Sequence, residues 1–198
     1  MSKKSTIAAV TGLGRCGTSM TMQMLVAGGM EHLSMGPPLY DTLQGLDLPG
    51  ETAWLGEARG KAVKLLRSDV FAPPKRDDWR WIWLERDTVQ QTASVNKLFR
   101  ALGRPAVDES CLAQAASRSR ANIKAAGGRM LRLRFEEVLG DPCQAAGRIA
   151  SHLGRPLDLE AMAAVVHGRG TACAGGLEFD ADWLAGEINA YMEKRNHV

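Results

Sequence analysis

"VTGLGRCGTSMTMQML", residues 10–25, passes from strand to turn to helix within a few residues. Ile7 to Val10 is a short apolar run that ends in Thr11 and Gly12, the pattern of a buried strand meeting a tight turn. From Thr18 to Ala27 the spacing is helical and methionine-rich, and Gly28-Gly29 stops it. Between the two, Gly12, Gly14 and Gly17 relieve the steric limits on the turn. A glycine-rich turn feeding a helix presents several backbone N–H groups to one point. The helix N-terminus adds partial positive charge there, so the stretch reads as an anion site. Arg15 contributes a fixed fork of donors, and Thr18 and Ser19 contribute hydroxyls at the helix start.

The spacing from Gly12 across four residues to Gly17-Thr18-Ser19 fits G-x-x-x-x-G-[K]-[ST], the loop that cradles nucleotide phosphates between a strand and a helix. Thr18, however, stands where that pattern has lysine, and a basic residue, Arg15, comes three positions earlier. A kinase or ATPase of this type needs its lysine on the transferring phosphate together with a magnesium ion.

Composition sets wide limits. The chain has 198 residues, 45% of them hydrophobic and 24% charged, which describes one ordinary globular domain. A net charge of +3 fits an anionic ligand and does not argue for nucleic acid. Cys16, Cys111, Cys143 and Cys173 show no C-x-x-C spacing, so neither a zinc site nor a disulfide framework is expected. No apolar run approaches the length of a membrane span, and the start has no secretion-signal pattern. The expected setting is reduced and cytoplasmic, with no membrane partner.

Along the rest of the chain, "KAVKLLR" (61–67), "WRWIWLERD" (79–87) and "RMLRLRF" (129–135) read as further strands. Helices are expected at 88–101, about 109–126, 142–153, 158–167 and 180–195. Residues 30–60 contain Gly36-Pro37-Pro38 and Pro49-Gly50 and read as loop plus a short helix, a place for a substrate lid. Strands alternating with helices imply a parallel sheet covered on both faces. The expected fold class is α/β: a single-domain, three-layer P-loop-like sandwich over 1–198. Trp79, Trp81 and Trp83 alternate on one face of their strand. Such a row suits core packing under covering helices better than stacking on bases.

The pattern G-x-x-R-x-G-T-S resembles the 5′-phosphosulfate loop of the sulfotransferases that use 3′-phosphoadenosine 5′-phosphosulfate (PAPS). The resemblance implies that Gly12, Gly14, Arg15, Cys16, Gly17, Thr18 and Ser19 hold the donor's 5′ end and that Arg15 is catalytic, with Cys16 where the family usually has serine. That family's 3′-phosphate site uses an arginine at a strand end and a serine eight residues later. Arg86 and Ser94 match it, with Thr88 in place of the common proline. "LRFEEVLGDP" resembles the family's Tyr-Glu-Asp-Leu…Asp-Pro segment, with Phe135 for tyrosine. Arg169, in "HGRGTACAGG", is the nearest match to the closing R-K-G-x-x-G loop over the cofactor. The resemblance covers about residues 6–165 and implies PAPS, or its product 3′-phosphoadenosine 5′-phosphate (PAP), as co-substrate without a metal.

The base that activates the acceptor is left open. Leu66 stands where one branch has the histidine of its Lys-x-His pattern, and His32, His152, His167 and His197 all lie elsewhere. A loop carboxylate remains, with Asp41 and Asp47 as the leading candidates beside Glu31 and Asp69. The alternatives are a P-loop phosphotransferase, with Ser19 and Glu85 or Asp87 on magnesium, and a nucleotide-binding domain without catalysis.

Overall fold

The computed structural model describes residues 6–34, 53–66 and 68–166. Its sheet has four parallel strands, β1 (Ile7–Gly12), β2 (Ala62–Leu65), β3 (Trp79–Glu85) and β4 (Arg129–Arg134), in the order β2-β1-β3-β4. Helix α1 (Thr18–Ala27) follows β1, and a 3₁₀ turn (Ala53–Leu55) precedes β2. Helices α2 (Thr88–Ala101) and α3 (Glu109–Ala126) follow β3. Helices α4 (Phe135–Gly140), α5 (Pro142–Leu153) and α6 (Leu159–Ala164) follow β4. The α/β fold with a central parallel sheet is the one expected. Among the described residues no helix is long and apolar enough to cross a membrane.

All six residues of β1 are buried, as a central parallel strand covered on both faces requires. The pleat divides the core in two. Ala8, Val10, Ile82, Leu84 and Leu133 pack with Met20, Met22 and Met24 of α1 and with Ala146 and Ile149 of α5. On the other face, Ile7, Ala9, Val63, Leu65 and the three tryptophans pack with Ile123 and Ala126 of α3. Trp79, Trp81 and Trp83 are at most 1% exposed, so no base can stack on them. Each indole N–H also has an acceptor, the Pro74 carbonyl, the Gly127 carbonyl and Glu85 Oε1 respectively. Satisfying that group is what burying a tryptophan requires. Truncating any one to alanine is expected to cost about 3–5 kcal/mol.

The strand order positions the site. From β1 the chain goes to β2 on one side, then crosses back to β3 on the other. Loops that diverge in this way leave a crevice at the carboxyl ends of the strands, where such sheets bind ligands. Gly12 is the register partner of Leu84. The loop after β1 and the residues just past β3 therefore reach the same edge at the same height.

One strand expectation is corrected. The run 129–135 ends as a strand at Arg134, and Phe135 opens α4. Glu136 and Glu137 lie in that helix's first turn, where the helix dipole favours acidic side chains. These two acids, not the apolar alternation before them, decide the boundary. Helix α6 begins as expected, with the Asp158 side chain accepting from Ala161 N at 3.0 Å. The stretch expected as a lid is described only at its two ends, and the expected helix 180–195 lies outside the described residues.

Candidate nucleotide site

The loop after β1 has a backbone that its glycines make possible. Gly12 has φ +147°, and a Cβ there would lie 2.7 Å from the Leu84 carbonyl and from Cys16 Sγ. Gly17 has φ +95°, with the Phe135 ring edge 2.7 Å from where its Cβ would be. Gly14 differs, because a Cβ there would meet nothing within 4 Å, so this side of the loop is open. Arg15 has φ +67° and is the one non-glycine with positive φ among the described residues. That left-handed conformation costs an L-residue about 1–2 kcal/mol and marks the loop as a place where strain is held. Gly17 is the N-cap of α1 and makes no side-chain cap bond.

Three side chains from the β3–α2 unit meet this loop. Arg86, one residue past β3, donates from Nη1 to the Arg15 carbonyl at 3.0 Å, and its guanidinium lies 4.7 Å from the Phe135 ring centroid. Gln91, buried on α2, donates from Nε2 to the Gly14 carbonyl at 2.9 Å. Ser94, one helical turn further on and 2% exposed, accepts from Arg15 Nε at 3.0 Å. A hydroxyl that accepts one bond still has a proton to donate, so Ser94 can hold Arg15 and an anion together. A guanidinium carries five N–H donors, and Arg86 places this fork beside the loop. Asp87 starts α2 by accepting from Gln90 N at 3.0 Å.

A fourth group comes from β2. Lys64, 3% exposed in a strand otherwise made of Ala, Val and Leu, donates from Nζ to Ser19 Oγ at 3.0 Å. Next to it, Thr11 ties the ends of β1 and β2 together by donating to the Leu65 carbonyl at 2.6 Å. The loop thus has its lysine after all, supplied by the neighbouring strand. A cation inside a strand buried on both faces is the sequence signal that could have revealed it. Gln91 and Phe135 also join the site unannounced.

The expected residues divide as follows. Arg15, Thr18, Ser19, Arg86 and Ser94 converge at the carboxyl edge. Cys16 is there by its main chain, but its side chain is fully buried in the core. Burial pushes its thiol pKa up to about 12, against smaller opposing effects of Lys64, the Cys16 and Thr18 amides and Arg86. The thiol therefore stays protonated and offers an anion only a weak donor. Glu31 is excluded as the acceptor's base. Its carbonyl bonds to the amide of Ala62, the first residue of β2, so it sits at the opposite edge of the sheet. Asp69 follows β2 at the correct edge, and its side chain is half-buried. Asp41, Asp47 and Arg169 lie outside the described residues.

Both carboxylates weighed for magnesium have other partners. Glu85 Oε1 accepts from Arg132 at 2.7 Å and from Trp83 at 2.9 Å, with Arg120 at 3.6 Å, and Asp87 is the α2 cap. Among the described residues no group of three metal-ligating side chains occurs. His152 is on α5 beside Arg80 and Arg129, near the start of β3 and away from the loop. Burial first, then Arg80, lowers its pKa.

By sequence, the chain matches no family profile and no curated protein. By structure, it is similar to a mouse sulfotransferase complexed with PAP, with a TM-score of 0.53 and 12% identity. That match covers 82% of this chain and 63% of the mouse protein, so the chain spans less than two thirds of that enzyme's length. It is also similar to a retinol dehydratase in complex with androsterone and inactive cofactor PAP, with a TM-score of 0.50 and 16% identity. Here the match covers 99% of this chain and 82% of the other. The fold is that of these two structures.

Proposed function

We propose that the protein transfers a sulfuryl group from PAPS to a hydroxyl or amine on a small-molecule or glycan-like acceptor. The observation that carries this reading is the bond between Arg15 and Ser94. It joins a loop suited to a 5′-phosphosulfate to a strand-end arginine and helix serine suited to a 3′-phosphate, across 79 residues of sequence. The residues present fit such a donor. The loop amides, Arg15 and Lys64 would hold its 5′ end, and Arg86 and Ser94 would hold its 3′-phosphate.

In the reaction, the acceptor oxygen or nitrogen forms a bond to sulfur while the bond from sulfur to the bridging oxygen breaks. PAP leaves with the electron pair. The acceptor proton passes to a carboxylate, for which Asp69 stands at the right edge; Asp41 and Asp47 are the candidates from sequence alone. Negative charge builds on the bridging oxygen, where Arg15, Lys64 and the loop amides stabilise it. Fixed donors of this kind are worth about 3–4 kcal/mol each at a transition state. Lys64 on Ser19 supplies charge where a kinase would place magnesium.

Calorimetry with PAP, ADP and ATP, each with and without magnesium, tests the reading. PAP is expected to bind without metal and more tightly than ADP, which lacks the 3′-phosphate. Equal affinity for PAP and ADP, or ATP binding that requires magnesium, would replace this reading with that of a phosphotransferase.

A further inference from the structure

Arg15 is held in its left-handed conformation from both sides. The carbonyl before it, Gly14 O, accepts from Gln91 Nε2 at 2.9 Å, and its own carbonyl accepts from Arg86 Nη1 at 3.0 Å. In a trans peptide the C=O and N–H point in opposite directions. Two consecutive carbonyls drawn toward the β3–α2 unit therefore turn the amides of Arg15 and Cys16 the other way. Successive amides around a left-handed residue form a concave nest for an anion. Gln91 is 7% exposed and five residues past Arg86 on the same strand–helix unit, so packing fixes its reach.

We propose that Gln91 is a positioning residue for this site: its bond to Gly14 sets the loop amides that hold the donor's 5′ phosphate. The inference rests on the nucleotide site proposed above, but not on sulfuryl chemistry. Gln91 donates to the Gly14 carbonyl and would act on the donor through the Gly14–Arg15 peptide. Its effect is therefore independent of the 3′-phosphate and equal for ligands with and without one. Arg86, which also faces the 3′-phosphate, discriminates between them.

The test is calorimetry of PAP and ADP binding to the wild type, Gln91→Met and Gln91→Glu, well below their melting temperatures. Gln91→Met keeps the side chain's length and loses the donor. It is expected to weaken both ligands by about tenfold, the scale of one hydrogen bond, with their ratio unchanged. Gln91→Glu adds a signature that a purely structural role would lack. Its ionised carboxylate repels the Gly14 carbonyl, while its protonated form donates to it. Burial raises such a carboxyl's pKa, and the neighbouring Arg86 and Arg15 lower it. Affinity relative to wild type is thus expected to recover as pH falls from about 8 through the carboxyl's titration to about 4.5.

A folded Gln91→Met with both affinities within about twofold of wild type overturns the proposal, as does a loss confined to PAP. A Gln91→Glu profile parallel to wild type overturns it too, even if Gln91→Met does not fold. Failure of the sulfotransferase reading looks different. Wild type would then bind PAP and ADP equally, with the effect of Gln91 intact.

Discussion

Glu85 and Arg86 are adjacent in sequence, yet Glu85 ends β3 on the tryptophan face and Arg86, just past the strand, turns to the other face. Glu85 shares the tryptophan face. It accepts from Trp83 and Arg132 and has Arg120 nearby, so acid and base are matched within the fold. Arg86 takes the other face, stacks on Phe135 and reaches the Arg15 main chain. Around it, Arg15 and Lys64 direct donors at the hydroxyls of Ser94 and Ser19. One cluster is closed by a carboxylate. The other brings Arg15, Lys64 and Arg86 together at the loop that the proposed function assigns to an anion. At this sheet edge, the alternation of the chain separates Glu85 and its arginines from Arg86, which the proposed function assigns to the donor.

The largest effect that would sharpen this contrast is expected at Arg15. If its guanidinium acts on charge that appears only as the sulfur–oxygen bond breaks, removing it lowers turnover and spares ground-state binding. Arg15→Ala is expected to cut kcat by on the order of a hundredfold or more, with a much smaller change in PAP affinity. Arg15→Lys is expected to recover part of the rate. Steady-state kinetics with an identified acceptor checks this, and near-full turnover in Arg15→Ala would break it.

Glu85 is expected to behave in the opposite way. Glu85→Gln leaves two arginines without their carboxylate and weakens the Trp83 acceptor. The pair with Arg132 is partly exposed, so the cost in stability is expected to be about 1 kcal/mol. PAP affinity is expected to stay unchanged. Denaturant melts paired with PAP titrations measure both, and a lost PAP affinity would merge the two clusters into one site.

The smallest effect concerns Cys16, the inward neighbour of Arg15. With a pKa near 12 and full burial, its thiol is almost wholly protonated at pH 8. Cys111 and Cys143 are exposed. Iodoacetamide followed by peptide mass spectrometry is expected to label these two quickly and Cys16 only on unfolding. Rapid labelling of native Cys16 would show that the loop opens to solvent.

How much of this the sequence made legible depended on how local the physics is. The strand, glycine turn and helix of 10–25 are neighbours in the chain, and their residues announce the anion site. Arg86 and Ser94 were singled out by the family resemblance, and one strand–helix unit carries both to the same edge. Lys64 and Gln91 were not, since their partners lie 45 and 77 residues away and meet only through the strand order. Phe135 was read as the end of a strand, and its contact with Gly17 depends on where α4 begins. The acceptor's base stayed open for the same reason. A loop carboxylate has no periodic signal, and only placement at one sheet edge separates Asp69 from Glu31.

The central claim is that two motifs form a single donor site, with Arg86 reading the 3′-phosphate. The most direct measurement is the ratio of PAP to ADP affinity in wild type and Arg86→Ala, by calorimetry without metal. Arg86→Ala is expected to weaken PAP by about 1.5–3 kcal/mol, the range for hydrogen bonds to a charged group. ADP should weaken less, through the lost bond to Arg15 O, so the preference for PAP collapses. Equal losses for the two ligands would contradict the account and leave Arg86 as a support of the loop alone.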